Sequence, residues 1–495
     1  MTFDELINIC QPLDVYGTEP NQIGELTQDS REVREGSVFI AVRGTQVDGH
    51  MFIENAISRG ASIIICEEAY YTENDNICIF EVEDTRALMG PLAQAFEGYP
   101  ARELTLVGVT GTNGKTTVTS LVYQALKQLG ARPSLLGTAG KQIQDEALES
   151  LLTTADPVEL ARDMRRMVEA NSSHLVMEVS SHALDQQRVG GLQFQVAAFT
   201  NLSHDHLDYH TSLDDYAAAK KKLFDNLSSE ATAIVNGDDA NAALMLKDCK
   251  ARNISFGFTD SADLQCHLVA SNSEGITLDI GNTRVSSPLV GRFNAYNVAL
   301  AFLICRALDY DNQDIARVLG SAKGAAGRLE RVQTGKKDKQ PLVLVDYAHT
   351  PDALENVLST LRDLKEESQQ LHLVFGCGGD RDKGKRPKMA AVAERYADRI
   401  IVTSDNPRSE DPDAIIDDIA KGFSRESTAE RITDRQKAIR KVIARSPQDA
   451  IILIAGKGHE TYQEIGDKRH EFDDREIARE ALAERNEHSK PGEVA

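Results

Sequence analysis

No two of the seven cysteines form a C-x-x-C pair; they are scattered singly along the chain. Scattered thiols of this kind are typical of a protein kept in a reducing compartment. Long hydrophobic runs are also missing, and the longest, such as 450–455, have only the length of a buried strand. The opening residues MTFDELINIC are acidic where a secretory signal would be basic. These absences predict a cytoplasmic protein with no membrane insertion.

Positive charge is scarce as well. The 77 acidic side chains outnumber the 55 basic ones, which gives a formal net charge of −22. Contacts with nucleic-acid phosphates require a basic surface, so the charge argues against nucleic-acid binding. Internal repeats and low-complexity tracts are absent too. The 495 residues are enough for about three domains, each with its own core.

Strand-like runs alternate with helical stretches along the chain, a pattern that predicts parallel sheets covered by helices. Pieces rich in glycine or proline interrupt it at 98–104 (GYPAREL) and 320–332 (GSAKGAAGRLERV). The polar tail NEHSKPGEVA is predicted to be loose. The sequence therefore predicts an α/β protein of three domains: a smaller N-terminal α/β domain over 1–100, a central domain with a P-loop-type, mostly parallel sheet over 101–328, and a Rossmann-like C-terminal domain over 329–495.

The stretch GVTGTNGKTT at 108–117 lies between an apolar run and a helix-like segment, the context of a phosphate-binding loop. It departs from the spacing G-x-x-x-x-G-K-[ST], since Val109 stands where that pattern has glycine. Gly111 and Gly114 would let the backbone approach phosphate oxygens, and Lys115 would neutralise the β- and γ-phosphates. The motif predicts nucleotide binding; the alternative is a glycine-rich turn with a solvated lysine.

Polar groups follow two further strands of the middle region. HLVMEVSSH (174–182) ends an apolar strand near Glu178, a carboxylate suited to face Mg²⁺. TNLSHDHLDYH (200–210) follows another strand and is either a functional cluster or a polar loop with capping aspartates. The ionisable residues of that stretch are His204, Asp205, His206, Asp208 and His210.

The residues of two helical stretches do not by themselves decide what role each stretch has. In DDYAAAKKKLF (214–224), the run Lys220 to Lys222 is by itself typical of a solvated helix face. In GRFNAYN, Asn294 and Asn297 lie three residues apart at a helix start. They would either hydrogen-bond a nucleotide base or cap the helix.

Three polar loops follow strands of the last region: 376–386 (GCGGDRDKGKR), 404–412 (SDNPRSEDP) and 456–460 (GKGHE). Ligands of open α/β sheets bind beyond the carboxyl ends of the strands, so these loops should converge on one small molecule. Arg381 and Arg408 would pair with its carboxylates, and Glu460 would bind an ammonium group.

In order along the chain, GTNGKTT, EVSSHALDQQR, TNLSHDHLDYH, VDYAHTPD, FGCGGDRDKGKRP, DNPR and AGKGHE resemble the motifs of the Mur ligases. The resemblance covers nearly the whole chain and is closest to the diaminopimelate-adding branch. It implies an ATP-dependent acid–amino-acid ligase of cytoplasmic peptidoglycan synthesis, with ATP and Mg²⁺ as cofactors. Such an enzyme adds meso-2,6-diaminopimelate to the D-Glu of UDP-MurNAc-L-Ala-D-Glu through an acyl phosphate. A monomer without nucleic-acid partners is expected.

The resemblance also implies roles for individual residues. ATP would be bound by Gly111, Thr112, Asn113, Gly114, Lys115, Thr116, Thr117, Asn294, Asn297, Arg328 and Asp346. Mg²⁺ would be held by Thr116, Glu178, His206 and Lys220, the lysine as a carbamate. The UDP-linked precursor would contact Ser30, Thr45, Gln46, Val47, Thr153, Thr154, Ser180, Gln186 and Arg188. The diaminopimelate would contact Arg381, Asp405, Asn406, Pro407, Arg408, Gly456 and Glu460. The catalytic residues would be Lys115, Lys220, His206 and Arg328.

Three alternative functions remain at this point. A Mur ligase of this kind could add L-lysine in place of diaminopimelate. A folylpolyglutamate synthase shares the loop variant and the domain plan, and predicts a pterin site. A nucleotide-binding regulator without turnover predicts ATP binding but no phosphate release with any peptide precursor.

Overall fold

The computed structural model describes residues 1–45, 47–72, 74, 76–150, 152–203, 209–260, 262–334, 340–425 and 427–488. The chain forms two compact units, Met1–Cys266 with Ala299–Val318, and His267–Val298 with Leu319–Ala495. Within the described residues, no helix is both long and apolar enough to cross a membrane.

The first unit begins with a five-stranded sheet. The strands are β1 (Asp14–Tyr16), β2 (Leu26–Thr27), β3 (Val38–Ile40), β4 (Ile63–Cys66) and β5 (Cys78–Glu81). Their order is β1-β5-β4-β3-β2, and all pairs are parallel except β1 with β5. The helices are α1 (Phe3–Cys10), α2 (Ile53–Ser58) and α3 (Thr85–Phe96), with a 3-10 helix at Gly49–Phe52. Both faces of the central strands are covered, so their residues are continuously apolar.

The larger sheet of the first unit carries the candidate nucleotide loop. Its strands are β6 (Thr105–Thr110), β7 (Pro133–Gly137), β8 (Gly140–Ile143), β9 (Glu146–Leu148), β10 (His174–Glu178), β11 (Val196–Phe199), β12 (Thr232–Asn236) and β13 (Arg252–Gly257). They follow the order β13-β12-β11-β6-β10-β7-β8-β9, parallel except for β8 and β9. The helices are α4 (Lys115–Gln128), α5 (Pro157–Glu169), α6 (Ser181–Asp185), α7 (Leu213–Asp225) and α8 (Ala242–Leu246). Strand β14 (Leu264–Asn272) pairs with β13, and α9 (Arg292–Ala307) and α10 (Asn312–Leu319) follow later in the chain.

Within this unit, helix α3 packs closely against the segment that follows α6. A Cβ on Gly90 would lie 2.1 Å from the carbonyl oxygen of Gly190, so only glycine fits there. Val158 and Ala161 of α5 share one hydrophobic cluster with Leu92 of α3. The GYPAREL segment, predicted from its proline and glycine to be a boundary, contains a 3-10 helix at Pro100–Glu103.

The second unit has an antiparallel hairpin, β15 (Gly275–Ile280) and β16 (Thr283–Ser287), and a six-stranded sheet. The sheet strands are β17 (Glu330–Val332), β18 (Leu342–Asp346), β19 (Leu371–Phe375), β20 (Arg399–Val402), β21 (Glu430–Arg431) and β22 (Ile451–Ala455). Their order is β17-β18-β22-β19-β20-β21, and only β17 is antiparallel to its neighbour.

Helices cover both faces of this second sheet, as a parallel sheet requires. They are α11 (Pro351–Leu364), α12 (Lys385–Tyr396), α13 (Pro412–Ala420), α14 (Arg435–Arg445) and α15 (Asp474–His488). A second hairpin, β23 (Tyr462–Ile465) and β24 (Lys468–Glu471), follows the GKGHE loop. The predicted α/β class is thereby confirmed, but the predicted loose tail is wrong in part. Helix α15 continues to His488, and 489–495 lie outside the described residues.

Candidate active site

The turn from β6 into α4 has the backbone of a phosphate-binding loop. Gly111 and Gly114 have φ values of +143° and +89°, in the region that favours glycine. A Cβ on Gly111 would lie 1.8 Å from the Thr200 Oγ1 atom, which follows β11. Helix α4 begins at Lys115, so the N–H groups of its first turn face the loop.

The segment after β11 fixes this loop by hydrogen bonds. The backbone N–H of Thr112 donates to the carbonyl oxygen of Asn201 at 2.8 Å, and that of Asn113 donates to the Asn201 Oδ1 atom at 3.0 Å. The Thr200 hydroxyl donates to the carbonyl oxygen of Asn113 at 2.6 Å. The beginning of TNLSHDHLDYH therefore supports the nucleotide loop. The predicted residues His204, Asp205, His206 and Asp208 lie outside the described residues.

Gly111→Ala is expected to weaken nucleotide binding by at least tenfold, since the added Cβ meets Thr200 and the loop must shift. Gly130→Ala is the matched control: its φ is +89°, yet no atom lies within 4 Å of the added Cβ. The control is expected to lose only about 1 kcal/mol of stability through backbone strain. ATP titration calorimetry and thermal melting check both variants. Equal ATP affinity in the two variants would contradict the role given to this close contact.

The side chain of Lys115 folds back over the loop. Its Nζ atom donates to the carbonyl oxygens of Gly111 and Thr112, each at 2.9 Å. Thr116 and Thr117 lie buried in the first turn of α4. The ammonium group therefore lies at the loop, where the sequence predicted a phosphate partner.

Lys220 is buried, so the interpretation of the lysine run as a solvated face is wrong for this residue. Its relative exposure is 1%, and its Nζ atom donates to the carbonyl oxygen of Gly111 at 2.9 Å. The same atom lies 4.3 Å from the ring centroid of Tyr216, whose hydroxyl is 3.2 Å from the Thr112 Oγ1 atom. Tyr216, Lys220 and Leu223 share the inner face of α7 because helix side chains at i, i+4 and i+7 align. That spacing was a usable signal in the sequence.

Glu178 ends β10, next to the strand that leads into the loop. Its carboxylate is 1% exposed and accepts hydrogen bonds from the backbone N–H of Thr138 at 2.8 Å and from the Thr138 hydroxyl at 3.2 Å. A Cβ on Gly137 would lie 2.3 Å from Glu178 Oε1, so glycine leaves the space for this carboxylate. These bonds hold its oxygens in a defined position beyond the sheet edge.

The residues predicted to contact the peptide gather around Glu178. The Thr154 hydroxyl donates to the Glu178 carbonyl oxygen at 2.9 Å, and the N–H of Ser180 donates to Thr154 Oγ1 at 3.1 Å. Arg188 donates through Nη1 to the Thr154 carbonyl oxygen at 2.8 Å and through Nη2 to Gln186 Oε1 at 2.8 Å. The hydroxyl of Thr153 lies 3.1 Å from that of Thr138, which itself contacts Glu178.

The residues predicted to bind uridine lie at the carboxyl edge of the small sheet. Ser30 is buried shortly after β2, and Thr45 and Val47 follow β3, the neighbouring parallel strand. The turn is closed by a bond from the N–H of Gly44 to the carbonyl oxygen of Val47 at 3.0 Å, and Val47 is exposed. Gln46 lies outside the described residues.

In the second unit, the DNPR and GKGHE loops meet through a buried network. Asn406 donates to Glu460 Oε2 at 2.9 Å, and Lys457 Nζ donates to the side-chain oxygens of both residues at 2.9 Å each. Lys457 is fully buried. The Glu460 carboxylate, predicted to bind a substrate ammonium, is thus already paired with an ammonium of the chain. Lys457 was not among the predicted site residues, although its place at the end of the apolar run IILIAGKG pointed to burial.

Arg408, predicted to pair with a substrate carboxylate, already pairs with a carboxylate of the chain. Its Nε atom donates to Glu464 Oε2 at 2.9 Å, and its Nη1 atom donates to the carbonyl oxygen of Gly379 at 2.9 Å. Pro407 precedes it, and Arg408 itself has a φ of +51°. Arg381 is exposed. Arg386, which was not among the predicted site residues, is fully buried and binds the Glu410 carboxylate at 2.9 Å.

Gly456 allows the two loops to approach each other. Its φ is +120°, and a Cβ there would lie 2.5 Å from the Asp405 Oδ2 atom. Asp405 and Asn406 are both buried, with Asp405 beside the Arg435 guanidinium, which pairs with Asp474 at 2.6 Å. The fully buried Arg435–Asp474 pair thus contacts the strand ends from which both loops begin.

Four residues predicted to contact ATP lie in the second unit. Asp346 accepts from the N–H groups of Leu329 at 2.7 Å and Ala348 at 2.8 Å. Burial raises the pKa of the Asp346 carboxyl, and the nearby Arg328 guanidinium opposes that rise. Arg328 lies 4.8 Å from the ring centroid of Tyr347. The carboxylate therefore fastens the glycine-rich linker segment to the end of β18.

Asn294 and Asn297 do not cap α9, because the helix begins at Arg292. Asn294 donates to the Val290 carbonyl oxygen at 2.8 Å, and Asn297 donates to the Asn294 Oδ1 atom at 3.0 Å. Both side chains are buried. The capping alternative is wrong, and a role toward a nucleotide base stays a prediction.

Three regions that together make up most of the chain match domains of one known protein family. Residues 22–97 match the Mur ligase family catalytic domain, 109–305 the Mur ligase middle domain and 327–458 the Mur ligase glutamate ligase domain. The chain belongs to the Mur ligase family. The predicted family is confirmed, and with it the prediction that the chain is a ligase.

Two bacterial Mur ligases illustrate how far the similarity extends. The UDP-N-acetylmuramoyl-L-alanyl-D-glutamate–2,6-diaminopimelate ligase of Parabacteroides distasonis is 41% identical over 98% of this chain and 99% of its own length. The ligase of the same name from Pseudomonas putida is 44% identical over 93% of this chain and 95% of its own length. The similarity is thus not confined to the nucleotide loop.

Solved structures agree with this family. A ligase of that same name has a TM-score of 0.71 at 33% identity, covering 99% of this chain and 100% of its own. A MurF ligase from Thermotoga maritima in complex with ADP has a TM-score of 0.56 at 19% identity, covering 94% and 97%. A folylpolyglutamate synthase from that organism has a TM-score of 0.60 at 17% identity, covering 75% and 90%. Since the last two share only the fold, fold alone does not separate Mur ligases from folate ligases.

Proposed function

We propose that the chain is an ATP-dependent ligase that joins meso-2,6-diaminopimelate to the D-glutamate of UDP-N-acetylmuramoyl-L-alanyl-D-glutamate. The observation that carries the proposal is its similarity, over nearly the full length, to bacterial ligases named for that reaction. Cytoplasmic location, a monomeric state and domain boundaries near residues 100 and 328 belong to the same proposal. Size-exclusion chromatography and limited proteolysis test the last two.

The reaction needs an activated carboxylate, because a carboxylate has a poor leaving group for attack by an amine. Transfer of the γ-phosphoryl group to the substrate carboxylate forms an acyl phosphate and ADP. The amine then attacks the acyl carbon, and inorganic phosphate leaves. The chain's contribution is to position the groups and to neutralise the charge on the transferring phosphoryl group. Lys115 is the residue of the nucleotide loop whose charge serves that purpose.

The oxygen donors beside the nucleotide loop fit a magnesium ion. Mg²⁺ prefers carboxylate and hydroxyl oxygens together with those of phosphates. Glu178 is a buried carboxylate already oriented by Thr138, and Thr116 is a buried hydroxyl in the first turn of α4. His206 and a carbamylated Lys220 complete the proposed set. The ion would offset the negative charge of the phosphates when bound.

Formation of the amide bond competes with hydrolysis, because water would also attack the acyl phosphate. Residues Thr154, Ser180 and Arg188 form a connected network that would hold the peptide carboxylate in a fixed position. Arg328 and Asp346 are proposed to contact ATP. Fixed positions for the acceptor carboxylate and the nucleotide favour transfer of the γ-phosphoryl group to the substrate over its transfer to water.

The amine is proposed to be selected at the DNPR loop. Diaminopimelate differs from lysine by a second carboxylate at the far end, and a guanidinium is its natural partner. Because Arg408 keeps Glu464 as a partner, lysine does not leave it buried and unpaired. Selection against lysine should therefore come from a lost hydrogen bond rather than from an uncompensated buried charge.

Arg408→Ala is accordingly expected to lower kcat/KM for meso-diaminopimelate by about ten- to a hundredfold, the value of a charge-assisted hydrogen bond. The kcat/KM for lysine should change little, so the gap between the two amines narrows. Arg395→Ala is the control, since Arg395 is exposed and pairs with Glu355 on the helical layer. A wild type that prefers lysine, or a variant that retains its full preference, would rule out Arg408 as the selector.

Phosphate release from ATP tests the whole proposal. The assay supplies the UDP-linked dipeptide with meso-diaminopimelate, with lysine or with no amine, and analyses the product by mass spectrometry. A parallel reaction with folate and glutamate tests the folylpolyglutamate synthase alternative. ATP binding without phosphate release in every reaction would favour the nucleotide-binding regulator. Product formation with diaminopimelate is the expected result.

A further inference from the structure

A cavity of about 110 Å³ lies at the amino edge of the six-stranded sheet. Its lining includes His372, the second residue of β19, and Arg399, the first residue of β20, which are paired in register. Strand β21 and helix α14 contribute further lining residues. The loops at 376–386 and 404–412 follow the carboxyl ends of β19 and β20, so the cavity lies at the opposite edge of the sheet from them.

Positive side chains are concentrated in this lining. Among the residues that the structure describes, Arg399, Lys441 and Arg445 line the cavity together with one carboxylate, that of Glu430. Lys441 and Arg445 are four residues apart on α14, so they share one face of the helix. The chain as a whole has 77 acidic and 55 basic side chains, so the balance of charge in the cavity is opposite to that of the protein.

One carboxylate cannot neutralise three cations. Lys441 donates a hydrogen bond to Glu430 and holds the pKa of the Glu430 carboxyl below its usual range, and the guanidinium groups of Arg399 and Arg445 act in the same direction. Burial and the Arg399 guanidinium lower the pKa of His372 to about 4, so its imidazole is uncharged at neutral pH. Three cations and one carboxylate leave a surplus of two positive charges in the lining.

The volume and the donors of the cavity define the ligand that fits it. Pockets for drug-sized organic molecules have volumes of about 300 Å³ or more, so about 110 Å³ suits a small ion or one terminal group. Guanidinium and ammonium groups donate charge-assisted hydrogen bonds to phosphate and carboxylate oxygens. A surplus of two positive charges matches a phosphate dianion better than a carboxylate, which has a single negative charge. The Thr428 hydroxyl also lines the cavity.

We propose that the cavity between β20, β21 and α14 binds one phosphate dianion, either inorganic phosphate or the phosphate group of a small monoester. Arg399 and Arg445 bind its oxygens, and Lys441 is shared between the ligand and Glu430. The bound dianion joins α14 to β20. This site is separate from the nucleotide loop, and the inference goes beyond the proposed function and does not depend on it.

A structural reading of the same residues makes a different prediction. Arg445 lies in the last turn of α14, where a positive charge also stabilises the helix end. If that were its whole role, replacing it would lower the melting temperature of the protein, and the wild type would bind no phosphate at the cavity. Binding measurements on variants therefore separate the two readings.

Calorimetric titration with inorganic phosphate at mildly alkaline pH tests the inference. Mg²⁺ and a slight excess of a non-hydrolysable ATP analogue keep the nucleotide loop occupied. Arg399→Gln/Arg445→Gln is expected to lower phosphate affinity about tenfold or more, since two charged donors are lost. Glu430→Gln should raise the affinity, because it removes the carboxylate that competes with the ligand. Phosphate should raise the melting temperature of the wild type but not that of the double variant.

Arg395→Gln/Lys437→Gln is the matched control. It removes the same charge from side chains of the second unit that are 64% and 78% exposed, and Lys437 lies on α14 as well. This variant should bind phosphate as the wild type does. Loss of phosphate binding in the control equal to that in Arg399→Gln/Arg445→Gln would mean that only the overall charge matters, and would overturn the inference.

Two further probes define the ligand. Glycerol 3-phosphate binding as strongly as phosphate would assign the site to monoesters, and much weaker binding would assign it to the free ion. Acetate binding as strongly as phosphate would overturn the assignment to a dianion. Absence of saturable phosphate binding to the wild type, or binding that persists in Arg399→Gln/Arg445→Gln, would overturn the site itself.

Discussion

Lys115→Ala is expected to lower the rate of ligation by about a hundred- to a thousandfold while the protein remains folded. Lys115 is the first residue of α4, and its ammonium group lies at the nucleotide loop. This positive charge is proposed to stabilise the transferring phosphoryl group. Removing one preorganised charge-stabilising group typically costs two to three orders of magnitude in kcat, about 3 to 4 kcal/mol. Phosphate release with saturating ATP, dipeptide precursor and amine measures the effect.

Lys127→Ala is the matched control for this prediction. Lys127 lies on the same helix, is 57% exposed and is 3.6 Å from Asp145, so its removal should leave the rate almost unchanged. Lys115 also donates hydrogen bonds to two carbonyl oxygens of the loop. Because Lys115→Arg keeps a positive charge and hydrogen-bond donors, it helps to separate a loss of loop structure from a loss of correctly placed charge. Near-normal turnover in a folded Lys115→Ala protein would refute the proposed role of the loop.

Lys220→Ala is expected to be nearly inactive and to recover part of its activity when short-chain carboxylic acids are added. Carbamylation turns the lysine into a carboxylate, and a small acid in the vacated space would replace it. The Lys220 Nζ atom is buried beside the nucleotide loop, so a carbamate there would lie at the site proposed for Mg²⁺. The modified nitrogen keeps one N–H, which still matches the carbonyl oxygen of Gly111 at 2.9 Å.

Lys222→Ala is the control for Lys220, since its side chain is 45% exposed and bonds Asp185 at 2.9 Å. It should lose little activity and gain nothing from added acids. Acid-dependent recovery separates the chemical role of Lys220 from a packing defect, because a carboxylic acid restores charge and not the full side chain. Full activity of Lys220→Ala, or an unmodified lysine in a high-resolution map of active enzyme, would disprove the carbamate.

The local patterns predicted much of the fold and of the nucleotide loop. The mainly apolar runs at Leu371–Phe375 and Ile451–Ala455 were predicted to be strands, and both are buried strands of a sheet that helices cover on both faces. Gly111 was predicted from phosphate approach, but the structure adds a second reason, the 1.8 Å contact that a Cβ would make with Thr200. Gly111 and Thr200 are 89 positions apart, so the local motif alone could not show that this contact requires glycine.

Pairing between distant charged residues could not be predicted from local patterns. Arg408 and Glu464 are 56 residues apart, and Lys457 and Asn406 are 51 apart. Each charged residue by itself is compatible with a solvated loop, a ligand contact or an internal ion pair. Only the meeting of two strand-end loops decides among these possibilities, because burial and partner together set the cost of a charge.

The sequence by itself determined the α/β class, the nucleotide loop and membership of the Mur ligase family. These depend on hydrophobic periodicity and on contiguous motifs, which are local properties of the chain. Only the tertiary structure showed that Lys220 is buried beside the nucleotide loop. It also showed that Glu460 forms an ion pair with Lys457 and that Arg408 forms one with Glu464. The physical reason is that desolvation and ion pairing depend on neighbours far apart in the chain, which only the packing of strands and helices brings together.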